Sequence, residues 1–429
     1  MTQDIVYDAN ASMTTTAHHV FPSPGDLPSS RPDHRLLVVY VHIPFCKSKC
    51  HFCDWVQPIP KSDLLLTPEK SMRRSYISAL CQEIHTRGEE LTSAGYIPYI
   101  VYWGGGTASI LTEAEIDTVM SALNDAFDLS KVAEATIECS PDTISPSKLA
   151  RFRQAGFNRF SSGVQSMNNE RLRKIGRTHD ADMARQAVQW ASEAGFEEIN
   201  IDLMCGFPEE PLKEVEQTIS NGVSLPITHL SVYPFRPTAG TVLRQQIDKK
   251  SHLFLARQKA SFKLARKIAS SAGFSEYASG YFGKAGPALN VIMPFQLRLE
   301  TVAFGSGAVS LLKHQYLGHS KGLLSKYIEN PLKWDFSAPA SSPPVALSFL
   351  RSGLSIFDGI LRDEWEFQTG VSLQETLTES SLAPVIAYLR SSAGLIEDER
   401  GIRLPQESVG NTLIDLTYQT LMSQSAQKA

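Results

Sequence analysis

The regular alternation of buried-type β runs with amphipathic helices, from Leu36 to Tyr233, constrains this chain more than any other feature. LLVVYVHI (36–43) is a continuous apolar run rich in β-branched residues, as a strand covered on both faces requires. Residues 68–92 then carry apolar positions at helical spacing, and the next apolar run, YIPYIVYW, stops at Gly104-Gly105-Gly106. The pattern continues as helix 112–127, strand 134–139, helix 145–155, strand 158–164, helix 180–195, strand 198–203, helix 211–224 and strand 229–233. Six strands alternating with helices predict an α/β architecture, either a parallel barrel or an open doubly wound sheet. Both place their chemistry at the C-terminal strand ends. The sequence puts there a cysteine triplet, GGGT, Glu138, Gln165 and Asp202.

At 429 residues the chain exceeds what one core supports, about 250–300 residues, so two or three domains are expected. Residues 1–34 read as a flexible leader, 35–337 as the barrel with its extension, 338–345 as a linker, and 346–429 as a mostly helical, winged-helix-like domain. The formal charge of −4, with 41 Lys+Arg against 45 Asp+Glu, argues against a mainly electrostatic nucleic-acid binder, and the C-terminal domain offers only the mixed run EDER at 397–400. No apolar run approaches the ~18 residues of a membrane span. Six cysteines and no secretory signal point to a reducing cytoplasm, with a monomer expected.

Three of those cysteines, Cys46, Cys50 and Cys53, crowd into one eight-residue window directly after the first strand, at offsets of four and seven. Thiolates so spaced on a loop can wrap one inorganic centre. Iron–sulfur clusters normally take four cysteines, so three leave one iron open to a small molecule. The rival is a zinc site completed by His42 or His51, although the window is hydrophobic and lies where a catalytic site belongs. Cys81, Cys139 and Cys205 read as buried small hydrophobes.

YVHIPFCKSKCHFC resembles the cluster loop of the radical S-adenosylmethionine (SAM) superfamily, in particular its HemN-like subgroup, typified by oxygen-independent coproporphyrinogen III oxidase. WGGGTASIL, TIECSPDTI, GFNRFSSGVQSMNNERLRKIGRTH, INIDLMCGFP and FGSGAVSLL follow in the subgroup's order, across about residues 36–320. The resemblance implies a partial (β/α)6 TIM-like barrel. It also implies a [4Fe–4S] cluster on Cys46, Cys50 and Cys53, and a SAM cleaved there to methionine and a 5′-deoxyadenosyl radical. Tyr40, Gly105 and Glu138 match contacts to this first SAM. Members bind a second SAM, and Phe52, Gly106, Thr107, Gln165, Arg177, Asp202 and Val309 match its contacts, Arg177 and Asp202 suiting opposite ends of the amino acid moiety. An electron donor such as flavodoxin or ferredoxin and a small-molecule substrate would be the partners.

Three departures bear on function. Porphyrinogen-oxidising members usually carry a further cysteine where this chain has Trp55; haem-chaperone relatives carry a His-Asn-x-x-Tyr-Trp motif where it reads Leu289-Asn290-Val291-Ile292-Met293-Pro294; and GGGTASIL has alanine where most relatives have proline. A scaffold with both SAM sites but without porphyrin or haem signatures resembles the class C radical SAM methyltransferases and cyclopropanases of natural-product biosynthesis. The expected reaction is therefore addition of a methylene radical, drawn from the second SAM, to an sp² carbon, with Tyr233 and Tyr281 as candidate catalytic proton handlers. The alternatives are a haem chaperone or a coproporphyrinogen oxidase-like protein.

Overall fold

The computed structural model describes residues 35–53, 57–58, 71–238, 240–245, 251–290 and 299–426. The leader 1–34, Trp55 and Val291–Pro294 lie outside the described residues. The first apolar run forms β1 (Arg35–Ile43), whose interior is buried on both faces. Helix α1 (Met72–Ser93) starts four residues later than its periodicity predicts, because the Ser71 side chain accepts from the Arg74 N–H and caps it. β2 (Tyr96–Gly105), α2 (Glu113–Ala126), β3 (Glu134–Cys139), α3 (Pro146–Gln154), β4 (Arg159–Gln165), α4 (Ala181–Glu193), β5 (Glu198–Cys205), α5 (Leu212–Val223) and β6 (His229–Pro234) follow as expected. Local chemistry fixes the helix starts: Thr112 and Glu115 form a reciprocal capping box on α2, Ser145 with Pro146 opens α3, and Asp180 caps α4.

β1 to β6 are parallel and adjacent in chain order, which brings every C-terminal strand end to one rim. After α6 (Ser251–Ser271), the short strands β7 (Ser275–Ala278) and β8 (Tyr281–Gly283) extend the sheet antiparallel beyond β6. β9 (Glu300–Phe304) returns to pair parallel with β1, and β10 (Val309–Leu312), β11 (Gln315–Gly318) and β12 (Phe336–Pro339) continue outward from it. The sheet runs β12-β11-β10-β9-β1-β2-β3-β4-β5-β6-β8-β7, so the barrel is partial, with β12 and β7 at its two ends.

The remaining chain forms α7 (Pro343–Gly353), β13 (Ile360–Leu361), α8 (Arg362–Thr369), α9 (Leu373–Thr378), α10 (Ala383–Ser391), β14 (Ile396–Glu397), β15 (Gly401–Arg403) and α11 (Gln406–Ala426). β13, β15 and β14 make a small antiparallel sheet, and Trp365, Leu350 and Ile402 anchor a core of their own. The segment 338–345, expected as a linker, is instead the end of β12, a turn around fully buried Ala340, and the start of α7; its small residues fit tight packing as well as they fit a loop. This C-terminal unit docks on the barrel: the Ser279 N–H donates to the Ser355 carbonyl (2.7 Å), and Ile356 packs with Val38, Ile100, Ala278, Leu289 and Leu299. Among the described residues no helix is long and apolar enough to cross a membrane.

Candidate active site

The cysteine loop leaves β1 at the C-terminal rim. Cys46, Cys50 and Cys53 are free thiols, each partly exposed. Cys46 Sγ lies 3.1 Å from Thr107 Oγ1, and Arg177 Nη1 donates to Cys50 Sγ at 3.4 Å. Burial pushes the Cys46 thiol up to about 12, while the Thr107 hydroxyl and the Arg177 charge favour the thiolate. Three soft sulfurs beside a cation fit an anionic iron–sulfur centre. The histidines proposed as zinc ligands hold other positions. His42 Nδ1 pairs with Tyr40 Oη (3.0 Å), and its buried ring fills a slot where a Cβ on Gly105 would lie 2.7–2.9 Å away. His51 Nδ1 pairs with the Lys174 carbonyl at 2.8 Å. These are packing and orienting roles.

Inward of the rim lies a cavity of about 280 Å³ whose lining includes Glu138, Asp202, Tyr233 and Tyr281. Strands β2 to β6 all contribute, Glu138 and Tyr233 from near their C-terminal ends and Arg159 from the start of its strand, so the cavity runs down into the barrel. Glu138 accepts from the Tyr102 hydroxyl and from the Gly105 N–H (3.2 Å). Burial pushes its carboxyl up to about 7 against the pull of Tyr102, with Asp202 adding to the rise. Asp202 Oδ1 accepts from Asn200 Nδ2 (2.8 Å), and its own carboxyl is raised, again by burial first. Tyr233 and Tyr281 meet edge-to-face at 5.6 Å, and burial holds both phenols above their ordinary range. Two carboxylates in a confined polar space suit a cationic ligand such as an ammonium or sulfonium group.

The other sequence-based candidates divide. Tyr40 stacks on Tyr102 (5.9 Å), next to Glu138, and the Gly106 N–H donates to the Ile43 carbonyl (2.8 Å), joining the glycine turn to the strand before the cysteines. Gln165 has φ of 70°, beside a register shift between Gly163 and Gln165, so a non-glycine residue is held left-handed at a strand end that faces the site. The Arg177 guanidinium bridges Cys50, Ser140 Oγ (3.0 Å) and the Gly163 carbonyl (2.5 Å). One candidate falls elsewhere: Val309 lines a separate cavity of about 200 Å³ with Leu299, Tyr316 and Trp365, because β10 turns outward after β9. Phe52, between Cys50 and Cys53, packs on the same apolar cluster of Leu172, Ile175, Phe207 and Leu243 as the cavity residue Tyr233. Tyr102, Arg159 and Asn200 line the main cavity and were not singled out from sequence. The available signal was a charged residue opening RFSSGV, a strand flanked on both sides by buried strands.

Residues 40–221 match the Radical SAM superfamily. The chain is 30% identical over 301 residues, 68% of its length and 74% of the relative's, to the heme chaperone HemW of Bacillus subtilis (strain 168). It is 29% identical over 312 residues, 70% of its length and 66% of the relative's, to the oxygen-independent coproporphyrinogen III oxidase of Salmonella typhimurium. Its fold matches coproporphyrinogen III oxidase (HemN) from Escherichia coli with a TM-score of 0.71 at 22% identity, over 94% of this chain and 92% of the other. These relatives overturn the expectation of a natural-product methyltransferase or cyclopropanase. That reading leaned on motifs missing at Trp55 and at 289–294, whereas likeness spread over two thirds of the chain points to haem-related proteins. This chain belongs to the radical SAM superfamily, with HemN-like relatives.

Proposed function

We propose that the protein is a HemW-like radical SAM protein that binds a haem-class tetrapyrrole. The observation that carries this is the three-thiol loop at the rim of a barrel whose internal cavity holds two carboxylates, in a chain 30% identical to a haem chaperone. Cys46, Cys50 and Cys53 would hold the cluster. When bound and reduced, that cluster would supply the electron for reductive cleavage of SAM, and a small electron-transfer protein such as flavodoxin or ferredoxin would deliver it. Glu138 and Gly105 are proposed to orient the SAM amino acid end, and Arg177 to offset the charge of the thiolates. Tyr40, Gln165 and Asp202 would complete the SAM pocket. Tyr233 and Tyr281, which line the same cavity, would help to exclude water from it.

The test is anaerobic reconstitution with iron and sulfide followed by titration with haem. A saturable shift of the Soret band, with cluster iron lost in Cys46→Ala, Cys50→Ala and Cys53→Ala, is the expected result. Failure of haem to bind the reconstituted protein would sink the proposal. Conversion of coproporphyrinogen III under the same conditions would instead favour an oxidase, in line with the 29% identity to that enzyme.

A further inference from the structure

Arg177, whose Nη1 donates to Cys50 Sγ, stands on the connection 175–180, outside any helix or strand. Around it, one carboxylate fastens three segments of chain: Asp142, in the short turn Pro141–Thr143 that follows β3. Asp142 Oδ1 accepts from the Ser140 hydroxyl (2.6 Å), and its Oδ2 accepts from the hydroxyl of Thr178 (2.7 Å), the residue after Arg177. Lys47, next to Cys46 in the cysteine loop, donates to the Asp142 carbonyl and has its ammonium 3.7 Å from Oδ2. Ser140 Oγ in turn accepts from Arg177 Nη2 (3.0 Å). A continuous line of contacts therefore runs from the Asp142 carboxylate through the Ser140 hydroxyl and the Arg177 guanidinium to the Cys50 thiol.

The direction of each bond along this line follows from its chemistry. A hydroxyl has one proton to give and a carboxylate can only accept, so Asp142 dictates where the Ser140 O–H points and leaves the Ser140 lone pairs to Arg177. The Asp142 side chain is 9% exposed; burial opposes its ionisation, but the hydrogen bonds from Ser140 and Thr178 and the charges of Lys47 and Arg177 hold its carboxyl below the ordinary range. A long side chain on a loop gives up much rotamer freedom to keep one geometry. Here Nη2 is anchored twice, on Ser140 and on the Gly163 carbonyl (2.5 Å), and the planar fork then leaves Nη1 aimed at Cys50. Groups that orient the immediate neighbours of a metal centre, and hydrogen bonds to its sulfurs, tune its affinity and its potential.

We propose that Asp142 is a positioning residue for the iron–sulfur centre: through Ser140 it holds the Arg177 guanidinium against Cys50, and so favours the reduced, more negative state of the cluster. The inference rests on the assignment of the cluster to Cys46, Cys50 and Cys53 and is independent of the tetrapyrrole reading.

The test compares two substitutions that remove the same charge. Asp142→Asn keeps an oxygen that can accept from Ser140, whereas Asp142→Ala keeps none. In the reconstituted full chain, titrated anaerobically with dithionite and followed by the cluster absorbance, the Asp142→Ala protein should have the lower midpoint potential. The expected difference is about threefold in the reduction equilibrium, or about 28 mV for one electron. With Arg177→Met added, the two proteins should have equal potentials, because the residue through which Asp142 acts is gone. Equal potentials while Arg177 is present overturn the proposal. So does a difference that survives Arg177→Met, which is what a purely structural role would give. If Asp142→Ala does not fold, Ser140→Ala breaks the same line without changing any charge: a potential lowered only while Arg177 is present supports the proposal, and an unchanged one overturns it. Cluster iron that Cys50→Ala retains in full would remove the cluster assignment and this inference with it, whatever the outcome of the haem titration.

Discussion

Between pH 4.5 and about 7 the Glu138 carboxyl keeps its proton in the native protein but has lost it in the unfolded chain. Its contribution to stability is therefore complete below pH 4.5 and declines as pH rises towards 7. His42 acts in the opposite sense: burial, reinforced by Lys321, lowers its imidazole to about 4, so it destabilises the fold as pH falls from 6.5. The two slopes oppose each other where they overlap, and only a difference measurement separates them. Glu138→Gln should stabilise the metal-free protein by about 1–3 kcal/mol at pH 8, with the gain vanishing below pH 4.5, as read from guanidinium melts at both values. A difference that does not change with pH would contradict the assignment. Gly105→Ala should cost about 1–3 kcal/mol, since φ is 109° and the new Cβ would meet the His42 ring. A melting temperature equal to that of wild type would show that the ring has room to move. At this scale the three thiols, Glu138 and Asp202 were legible because unusual residue types stood at strand ends. Arg159 was not, since a single arginine in FNRFSS does not show from sequence which groups it will face.

Helix α1 is tied to the turn after β9 by one side chain. Glu83, fully buried, accepts from Arg87 Nε (3.0 Å), His319 Nε2 (2.9 Å), the Gly305 N–H (3.0 Å) and the Tyr327 hydroxyl (2.9 Å). Tyr76, on the same helix, donates to the His42 carbonyl (2.6 Å) and accepts from the Ser306 N–H (3.2 Å), so the network reaches the end of β1 that leads into the cysteine loop. Glu83→Ala strands four donors and should cost about 3–5 kcal/mol in urea unfolding, with a loss under about 1 kcal/mol meaning that water takes over the carboxylate's role. None of this could be read from sequence, because Glu83, His319 and Tyr327 meet only after the chain has returned to β1. The barrel elements were legible because each strand and helix carries its own period and cap. Val309 was misplaced for the opposite reason: its motif was recognisable, but the outward turn of β10 depends on pairing with β11 and β12, far along the chain.

In the whole molecule, the C-terminal unit supplies part of the cavity wall through Ser352 and Ser355, and it plants Ile356 in a core shared with β1 and β2. The two parts should therefore unfold together. Ile356→Ala is expected to cost about 2–4 kcal/mol and to lower one common transition, seen alike by circular dichroism and tryptophan fluorescence; two separated transitions would show that the units are energetically independent. The seating of β1 between β2 and β9 has a consequence for biosynthesis. β1 is made first, yet its second neighbour emerges only after the whole run of strands and helices between them. At about 5–20 residues per second, translation leaves that edge unpaired for tens of seconds, with the cysteine loop beside it. A nascent chain in that interval presents an apolar strand edge and three reactive thiols together, so stalled synthesis before Glu300 should yield a species that chaperones retain, and iron delivery is best timed after that edge has closed.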